Sequence, residues 1–570
     1  MVKFIIQISI VFALMIPDCV FAMEFFVDGN SVINSKKLIN ELQRIDFKAT
    51  ADSTSKLKSR IIEIYQKEGY WDIQFDNVRV TGDSVFFDIR EGRICNYYDI
   101  GLRGNAVFET GVLLEEVGKL DGKTASKANL ESYINRLLEY YSVNGMPYAR
   151  ITPDGFKIDD RIKGVSLDLI ISEGPEVEID TVIIEGNKTT GDRIIRRELL
   201  LRPGMEFNQF KLAQSVRRIN NLGFVEVKGK PGLYYDNLPS EAILKLTVEE
   251  IKSSYINGIF GYVPAVGSRD DYITGLLDIT LDNIMGTGRK ANVYYSAPDP
   301  DSRELLFSYT EPYFLGMPLD WTVTFNQVDR DSTYVRVSAE IALRYRLGIN
   351  TDFNLYVDAQ RTTPGAENIY PEERFTGYSI SPGLSGNYFD DRRNPKSGYA
   401  YDLIVRYIKR IYESFGDYIP EEPEVNRTAV EFKSGIALKI FSSNVLYFEG
   451  GAMAVTTNGM FLPVSERYDA GGRKTVRGYL EGRYYGSTVG FLRSEYRLLT
   501  GRSGRIFLFG DNGYYYFRDR DGSKVEDFIT GFGFGAASQT RVGMVTAQFA
   551  WGEGDSFGDG KFYFGIENRF

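Results

Sequence analysis

The stretch that decides the fold is Asp469-Ala-Gly-Gly-Arg-Lys-Thr-Val-Arg-Gly-Tyr-Leu-Glu-Gly-Arg-Tyr-Tyr-Gly486. Its flanks alternate apolar and polar residues as strands do, whereas the stretch itself gathers five glycines around the basic residues Arg473, Lys474 and Arg477. A connection this long and this rich in glycine is not a tight hairpin turn. It is either a solvated surface loop or a loop held against a surface that neutralises its charge, and the glycines let the backbone approach that surface closely.

The chain begins like a secreted protein. After Lys3 an apolar run extends from Phe4 to Pro17, and Val20-Phe21-Ala22 then offers a small-residue cleavage site. About 14 apolar residues are too few for a membrane-spanning helix, which needs roughly 20. We therefore predict that residues 1–22 are a signal peptide that is removed, which leaves Cys95 as the single cysteine of the mature chain and excludes a disulfide framework.

Composition excludes most enzyme classes. The 570 residues include no histidine, which removes Ser-His-Asp and Cys-His nucleophiles and His-ligated zinc. We find no phosphate-binding GxxxxGK[ST] motif and no CxxC pair, so we predict a protein that is not an enzyme and has no cofactor, metal or nucleotide. A net charge of −10, with no basic helix face, argues against nucleic acid. The 38 tyrosines and 38 phenylalanines instead suit the aromatic girdles of a membrane barrel.

The first half of the chain contains an internal repeat. A strand ending in Gly-Asn occurs three times, at Gly29-Asn30, Gly104-Asn105 and Gly186-Asn187. Each copy precedes an amphipathic helix that stops at a glycine, and two strands then close the unit. The repeat predicts three βααββ modules, at 24–93, 94–174 and 175–250. Each module leaves a sheet edge unpaired, so it is either a site where an extended client segment adds a strand or a spacer between the barrel and its partners.

From Ser253 onward the hydrophobic pattern has a period of two residues. Between residues 335 and 345, apolar residues alternate with Arg336, Ser338, Glu340 and Arg344. Unpaired charge is costly in a soluble sandwich core but suits a barrel with lipid outside and water inside. Such segments begin near residues 253, 272, 288, 303, 318, 333, 350, 375, 397, 427, 443, 486, 504, 529, 541 and 561. The predicted fold is α+β: three βααββ modules followed by a 16-stranded antiparallel transmembrane β-barrel over 252–570.

Taken together, these features resemble the POTRA-containing outer-membrane protein insertases of the bacterial surface antigen type. Besides Val-Arg-Gly-Tyr in the glycine-rich stretch, five further motifs occur in the family's order. They are Asn283-Ile-Met-Gly-Thr-Gly-Arg289, Tyr309-Thr-Glu-Pro-Tyr-Phe-Leu-Gly316, Asp391-Arg-Arg-Asn-Pro-Lys-Ser-Gly398, Glu495-Tyr-Arg497 and Phe509-Gly-Asp-Asn-Gly513. Each motif alone is weak evidence, but five in order are strong.

The number of modules indicates which members of this family the chain resembles most. Three modules make the chain more similar to the barrel subunit of the translocation and assembly module (TamA-like) than to the central BAM subunit, whereas two-partner secretion transporters usually carry two. Two positions depart from the family pattern. Asn512 stands where a small residue is common, and Tyr479 stands where phenylalanine is common.

The resemblance implies that the loop at 457–485 folds back into the barrel. Arg477 would then be buried and would need an anionic partner. Glu495 lies on the following strand and shares a face with Arg493 and Arg497, and Asp511 lies one strand further on, so both carboxylates are near enough to serve. We expect the clamp to comprise Val476, Arg477, Gly478, Tyr479, Glu495 and Asp511. The alternative is that Arg477 lies at the surface and that Glu495 pairs with Arg493 or Arg497.

The resemblance also implies a lateral seam between the first and last strands, which no hairpin joins. We expect its residues to be Tyr255, Gly258, Phe260, Phe562, Phe564, Gly565 and Phe570, with Gly565 weakening the last strand.

The modules and the seam together imply a function in the assembly of outer-membrane proteins. Modules in the periplasm would receive unfolded β-barrel or autotransporter clients, and a client strand would pair with the opened edge in the outer membrane, without nucleotide. Expected partners are the outer-membrane bilayer, unfolded outer-membrane clients and a periplasm-spanning or inner-membrane protein. The alternatives are a two-partner secretion pore that passes an exoprotein through the barrel and a passive barrel with no assembly role.

Overall fold

The computed structural model describes residues 24–43, 51–81, 84–159, 161–162, 164–235, 240–263, 272–297, 301–330, 333–365, 373–391, 394–414, 420, 422–457, 461–480, 483–501, 504–540 and 543–569. The predicted signal peptide and Phe570 lie outside these ranges. Within them, no helix has both the length and the apolar character needed to cross a membrane. The chain forms two compact units: one contains residues up to Ile183 together with 200–213 and 232–245, and the other contains 184–199, 214–231 and everything from Leu246 onward.

The first two modules have the same architecture. The first consists of β1 (Glu24–Asp28), α1 (Ser35–Leu42), α2 (Ala51–Lys67), β2 (Gln74–Thr81) and β3 (Ser84–Arg90). The second consists of β4 (Asn96–Arg103), α3 (Thr110–Glu116), α4 (Lys127–Val143), β5 (Arg150–Asp159) and β6 (Gly164–Ser172). In each sheet the last strand lies in the middle, parallel to the first strand and antiparallel to the second, so β1, β2, β4 and β5 are edge strands.

The third module has additional short strands. It consists of β7 (Glu178–Glu185), α5 (Asp192–Arg196), β8 (Met205–Glu206), α6 (Gln209–Asn220), β9 (Val225–Val227), β10 (Gly232–Tyr234) and β11 (Glu241–Glu250). The single strand expected after its helices is split into β9 and β10, which both pair with β11. Gly229 and Pro231 lie between the two pieces, and both residue types interrupt strands.

The core of the second module includes one face of helix α4. In α4, Tyr133, Leu137 and Tyr141 recur every fourth residue and are almost fully buried. They belong to one cluster with Val165 and Leu169 from the middle strand β6. Leu130 and Ile134 of the same helix are partly buried and pack against this cluster.

The repeated glycine is required by a close backbone approach. Gly29, Gly104 and Gly186 have φ values of 80°, 87° and 99°, a region that favours glycine. A Cβ at these positions would lie 2.0, 2.3 and 2.0 Å from carbonyl oxygens of Ile89, Ile171 and Val248 on the middle strands. The repeat therefore marks the point where the first strand of each module leaves its sheet.

A glutamate carboxylate, buried in the first two modules and partly buried in the third, holds the turn after each Gly-Asn pair. Glu91, Glu173 and Glu250 come at or directly after the end of the middle strand, and each accepts hydrogen bonds from backbone amides just beyond the repeat. The donors include Val32 N at 2.9 Å for Glu91, Ala106 N and Val107 N at 3.0 Å for Glu173, and Thr190 N at 2.6 Å for Glu250. The hydroxyls of Tyr65 and Tyr141 donate to Glu91 and Glu173 at 2.7 and 2.9 Å. These contacts join the two ends of each module.

The second half of the chain is a closed antiparallel barrel of sixteen strands, in which β29 returns to β12. Its strands are β12 (Tyr255–Val263), β13 (Tyr272–Ile284), β14 (Arg289–Ala297), β15 (Arg303–Glu311), β16 (Leu319–Arg330), β17 (Tyr334–Arg346), β18 (Thr351–Pro364), β19 (Arg374–Asn387), β20 (Gly398–Glu413), β21 (Glu424–Lys439), β22 (Asn444–Val455), β25 (Thr488–Leu499), β26 (Arg505–Arg518), β27 (Lys524–Thr540), β28 (Gly543–Gly552) and β29 (Lys561–Arg569). The connection from β22 to β25 contains β23 (Tyr468–Ala470) and β24 (Tyr484–Gly486).

The barrel confirms the period-two prediction. On β17 the apolar residues Val337, Ile341 and Tyr345 are exposed on the outer wall, while Arg344 and Arg346 both donate to Asp320 on the neighbouring strand. Charge therefore lines the interior, called the lumen below, and apolar side chains face outward as lipid requires. The largest error in the predicted strand starts is β27, which begins at residue 524 rather than near 529, because Lys524, Glu526 and Asp527 interrupt the apolar alternation at its start.

We predict that Gly104→Ala destabilises the second module by more than Gly118→Ala does. Both glycines have positive φ, 87° and 85°, so both substitutions cost about 1 kcal/mol in backbone strain. Only Gly104 faces a carbonyl oxygen, and the resulting overpacking adds about 1–3 kcal/mol, whereas nothing lies within 4 Å of a Cβ at Gly118. Hydrogen exchange of the β6 amides in the full chain measures both effects, and equal destabilisation by the two substitutions would contradict the role assigned to the close approach.

We also predict a pH-dependent contribution from Glu91. Burial opposes its ionisation, but hydrogen bonds from Ser31, Val32 and Tyr65 outweigh burial and lower the pKa of the carboxyl from 4.5 to about 2. A lowered pKa gives stability that is complete above pH 4.5 and disappears as the pH falls toward 2. Glu91→Gln should therefore speed exchange of the β3 amides at pH 7, and its difference from the native protein should shrink as the pH falls.

The control for this prediction is Glu68→Gln, because Glu68 is a half-exposed carboxylate of the same module. It should have little effect at either pH, since exposed ion pairs contribute little. A Glu91→Gln effect that stays constant from pH 7 to pH 3 would show that the carboxylate charge is not what holds the turn.

Candidate functional site: a clamped loop inside the barrel

The connection between β22 and β25 lies inside the barrel. Its strands β23 and β24 pair with each other, Tyr468 opposite Gly486, so the loop is a short hairpin with a wide tip. Within the tip, Gly472 N donates to Val476 O at 2.9 Å and the Thr475 hydroxyl donates to Gly471 O at 3.0 Å. Of the predicted loop, residues 458–460 and 481–482 lie outside the described part of the chain.

Arg477 is the most completely buried large side chain of the tip, with 1% of its surface exposed. Its Nε and Nη2 donate to the two carboxylate oxygens of Asp511 at 2.7 and 2.8 Å, and its backbone N donates to the same group at 3.0 Å. Its Nη1 donates to Glu495 at 2.7 Å and to Gln548 at 3.2 Å. The guanidinium also lies 3.6 Å from the ring centre of Phe509. This two-pronged geometry on a carboxylate is specific to arginine.

The strand register explains how the wall forms this site. Arg493 is opposite Asp511 and Glu495 is opposite Phe509, so the two carboxylates are diagonal neighbours on the inner face of β25 and β26. Two glycines leave room for the loop. A Cβ at Gly531 would lie 1.8 Å from Arg477 O, and a Cβ at Gly513 would lie 2.5 Å from the Val476 side chain.

Glu495 has two arginine partners rather than one. Besides Arg477, it accepts a hydrogen bond from Arg497 Nε at 2.7 Å, while Arg493 is more distant at 4.0 Å. The two pairings that the sequence leaves as alternatives are therefore both present. The negative charge of Glu495 is therefore neutralised by Arg497 of the wall as well as by Arg477 of the loop.

The residues after Arg477 bind the strands that lead to the seam. Gly478 has φ 102°, and a Cβ there would lie 2.5 Å from the Trp551 backbone, so only glycine fits. The Tyr479 hydroxyl donates to Thr530 O at 2.9 Å and accepts from Glu553 N at 3.0 Å. Tyrosine in place of the family's phenylalanine therefore adds two hydrogen bonds, whereas the other departure, Asn512, is exposed on the opposite face of its strand.

Sequence reasoning missed a direct link between the tip and the last strand. The hydroxyl of Tyr563, on β29, accepts from Gly478 N at 3.2 Å and donates to Tyr479 O at 2.9 Å. Gln548 on β28 was also missed. Both residues lie on inward positions of their strands, but no feature of the sequence indicates which inward residues the loop will reach.

The seam is short in the described part of the chain. Tyr255 pairs with Arg569 and Ile256 pairs with Asn568, whereas β12 and β13 are paired over nine positions, from Tyr255 to Val263. Of the other predicted seam residues, Gly258 and Phe260 pair with β13, and Phe562, Phe564 and Gly565 pair with β28. Phe570 lies outside the described residues.

Comparison with known proteins agrees with this architecture. Residues 283–570, just over half of the chain, match the Omp85 superfamily domain, and residues 97–174 and 177–250 match the POTRA repeat described as the surface antigen variable number repeat. The chain belongs to the Omp85 superfamily. It is accordingly an outer-membrane barrel protein with POTRA modules in the periplasm. The first module, 24–93, precedes both repeat matches, and its assignment stays a prediction.

Relatives of this Omp85 chain include two proteins named outer membrane protein assembly factor BamA. The one from Neisseria meningitidis is 20% identical over 50% of this chain and 37% of its own length, and the one from Neorickettsia risticii is 23% identical over 75% of this chain and 59% of its own length. The chain therefore spans between about a third and three fifths of these relatives. The structure of CdiB from Escherichia coli has a TM-score of 0.52 at 12% identity, covering 92% of this chain and 100% of that one, which shows a common fold.

We predict that Arg477→Ala frees the tip of the loop. The substitution leaves the buried Asp511 without its arginine and leaves Glu495 with Arg497, at a cost of about 3–5 kcal/mol. Arg477→Lys should also loosen the tip, because an ammonium cannot bridge both oxygens of Asp511. Cleavage of the loop by proteinase K in the full chain measures release.

The matched control is Lys474→Ala, which removes one positive charge from an exposed position of the same loop. It should leave cleavage unchanged. If Lys474→Ala and Arg477→Ala sensitise the loop equally, net charge rather than the buried pair holds the tip.

Proposed function

We propose that this chain is an outer-membrane protein assembly factor. Its POTRA modules receive unfolded β-barrel or autotransporter clients, and its barrel inserts them into the outer membrane through the seam between β12 and β29. One observation carries the proposal: a barrel plugged by its own loop is joined at its first and last strands over a short stretch, and the tip of the loop is bonded to the last strand.

The energetics favour opening at this seam. Within lipid, each unpaired backbone amide or carbonyl costs several kcal/mol, so a free strand edge attracts another strand. At positions such as Gly258 and Phe260, β12 pairs with β13 on one side, and the described pairing to β29 ends at Ile256. A client strand that pairs along this edge satisfies those groups. Client folding then supplies the free energy, and no nucleotide is needed.

The loop would couple the seam to the lumen. Tyr563 lies on β29 and holds the backbone of Gly478 and Tyr479, next to Arg477 in its ion pair. Moving β29 away from β12 therefore pulls on the clamp. Conversely, an intact clamp holds β29 in its closed position.

The periplasmic modules offer edges for client segments. In the second module, β5 is a ten-residue edge strand whose outer positions are largely exposed, including Phe156 and Ile158. A strand added to this edge would gain main-chain hydrogen bonds. Pro153 and a bulge near Asp154 interrupt the edge, as in strands protected from indiscriminate pairing. The alternative, that the modules are spacers, predicts that edge substitutions have no effect on clients.

The second candidate is a two-partner secretion pore, in which an exoprotein passes through the lumen. The buried clamp favours assembly, since a pore would require the loop to leave the lumen during each passage. Three modules also favour a TamA-like role. Sustained conductance of the native protein during export of an exoprotein would support the pore.

We predict that a disulfide across the seam abolishes client insertion. The pair Ile256→Cys and Asn568→Cys, in a Cys95→Ser background, joins directly opposed positions of β12 and β29. The oxidised protein should fail to insert clients into liposomes, and reduction should restore insertion, because the edge is then free to open.

A matched disulfide elsewhere in the wall provides the control. Val405→Cys with Val430→Cys joins opposed positions of β20 and β21, away from the seam, and should not impair insertion. Normal insertion by the protein locked across the seam would contradict lateral opening.

A further inference from the structure

A second buried ion pair anchors the loop, and it is independent of Arg477. Glu466 lies in the 3₁₀ turn Val464–Glu466, ahead of β23, and 4% of its side chain is exposed. It accepts hydrogen bonds from Arg410 Nε at 2.8 Å, from Arg427 Nη1 at 2.7 Å and from the Tyr412 hydroxyl at 2.9 Å. No sequence motif indicated this residue.

The wall is built to receive this carboxylate. Arg410 and Tyr412 are inward residues of β20, and Arg427 is an inward residue of β21. Arg427 Nη1 also donates to the Tyr412 hydroxyl at 2.7 Å, which fixes both groups. The ring of Phe375 lies beneath, 5.1 Å from the Arg410 guanidinium. Two arginines around one carboxylate more than neutralise it, so the site is a cationic socket for one loop residue.

The two anchors have opposite polarity. At the tip, a loop cation binds wall carboxylates on β25 and β26, whereas at the base a loop anion binds wall guanidinium groups on β20 and β21. They have no side chain in common. Loss of one therefore leaves the other intact, and their contributions should be separable.

The anchors also differ in their position relative to the seam. The tip reaches β29 itself through Tyr563, while the socket for Glu466 lies on β20 and β21, with β19 beneath it and several strands between it and either edge of the seam. Movement of β29 therefore strains the tip first. The hydrogen bonds that Glu466 accepts come from β20 and β21.

We propose that Glu466 is a positioning residue that keeps the base of the loop in the lumen while the Arg477 tip releases. The loop then pivots about Glu466 instead of leaving the barrel, so the seam opens laterally without creating a through pore. This inference rests on the proposed function, because release of the tip matters only if the seam opens.

Single-channel conductance of the purified full chain, without client, tests the inference. Arg477→Ala should give brief openings, and Glu466→Gln alone should stay closed because the tip still holds. The variant with both Glu466→Gln and Arg477→Ala should have an open fraction on the order of 100-fold higher than that of Arg477→Ala alone. This is the effect expected from removing one partner of a buried ion pair. Arg427→Gln, which removes a socket residue instead, should act like Glu466→Gln in the same background.

The matched control is Glu449→Gln in the Arg477→Ala background. Glu449 is an inward carboxylate that pairs with Arg493 of the wall, so this variant makes the same charge change without touching the base of the loop. It should leave the open fraction of Arg477→Ala unchanged. Heat-modifiable gel mobility identifies variants that have not folded, and for those Arg427→Gln provides the second test.

Two results would overturn the inference: a double variant that conducts no more than Arg477→Ala, or Glu466→Gln that opens fully by itself. A separate measurement of client insertion distinguishes failure of the Glu466 anchor from failure of the proposed function. If Arg477→Ala protein locked at the seam still inserts clients while the conductance results hold, the anchor stands and lateral insertion does not.

Discussion

The charge of Arg477, taken out of water inside a barrel, is the constraint on which the other features of the lumen depend. An unpaired guanidinium there would be prohibitively costly, so the wall must supply carboxylates at two adjacent strands and space for the backbone that carries it. Asp511 and Glu495 supply the charge, and Gly513 and Gly531 supply the space. Together these four residues hold the tip of the connection between β22 and β25 against the inner wall of the barrel.

The same constraint connects the inside of the barrel to its edge. Tyr563 of the last strand holds the backbone beside Arg477, so in the proposed mechanism opening of the seam would disturb the ion pair. In the described part of the chain, β12 pairs with β13 over nine positions and with β29 over two, so the proposed mechanism assigns the opening to this short pairing. Glu466 adds a fixed point at the other end of the loop, so the loop is held at two sites of opposite charge.

Sequence patterns predicted the features that repeat or alternate. The Gly-Asn repeat located the modules because a backbone crossing forbids any side chain at Gly29, Gly104 and Gly186. Alternation located the barrel strands because lipid and water impose opposite demands on neighbouring residues. It failed at the start of β27, where Glu526 and Asp527 are adjacent and place a charge on each face. Asp511 and Glu495 were found because a buried arginine limits its partners to nearby carboxylates. Tyr563 and Glu466 were not found, since a contact between a loop and a distant strand leaves no periodic trace in either segment.

The position of the arginine-bearing loop inside the lumen can be measured by the reactivity of cysteines in intact cells. A cysteine in place of Thr475, which is buried in the tip, is compared with a cysteine in place of Asp521, exposed in the turn between β26 and β27, both in a Cys95→Ser background. If the loop lies in the lumen, a membrane-impermeant maleimide labels position 521 and leaves position 475 unmodified. Labelling of both positions at the same rate would show that the loop lies in bulk solvent and that Arg477 is not clamped in the lumen.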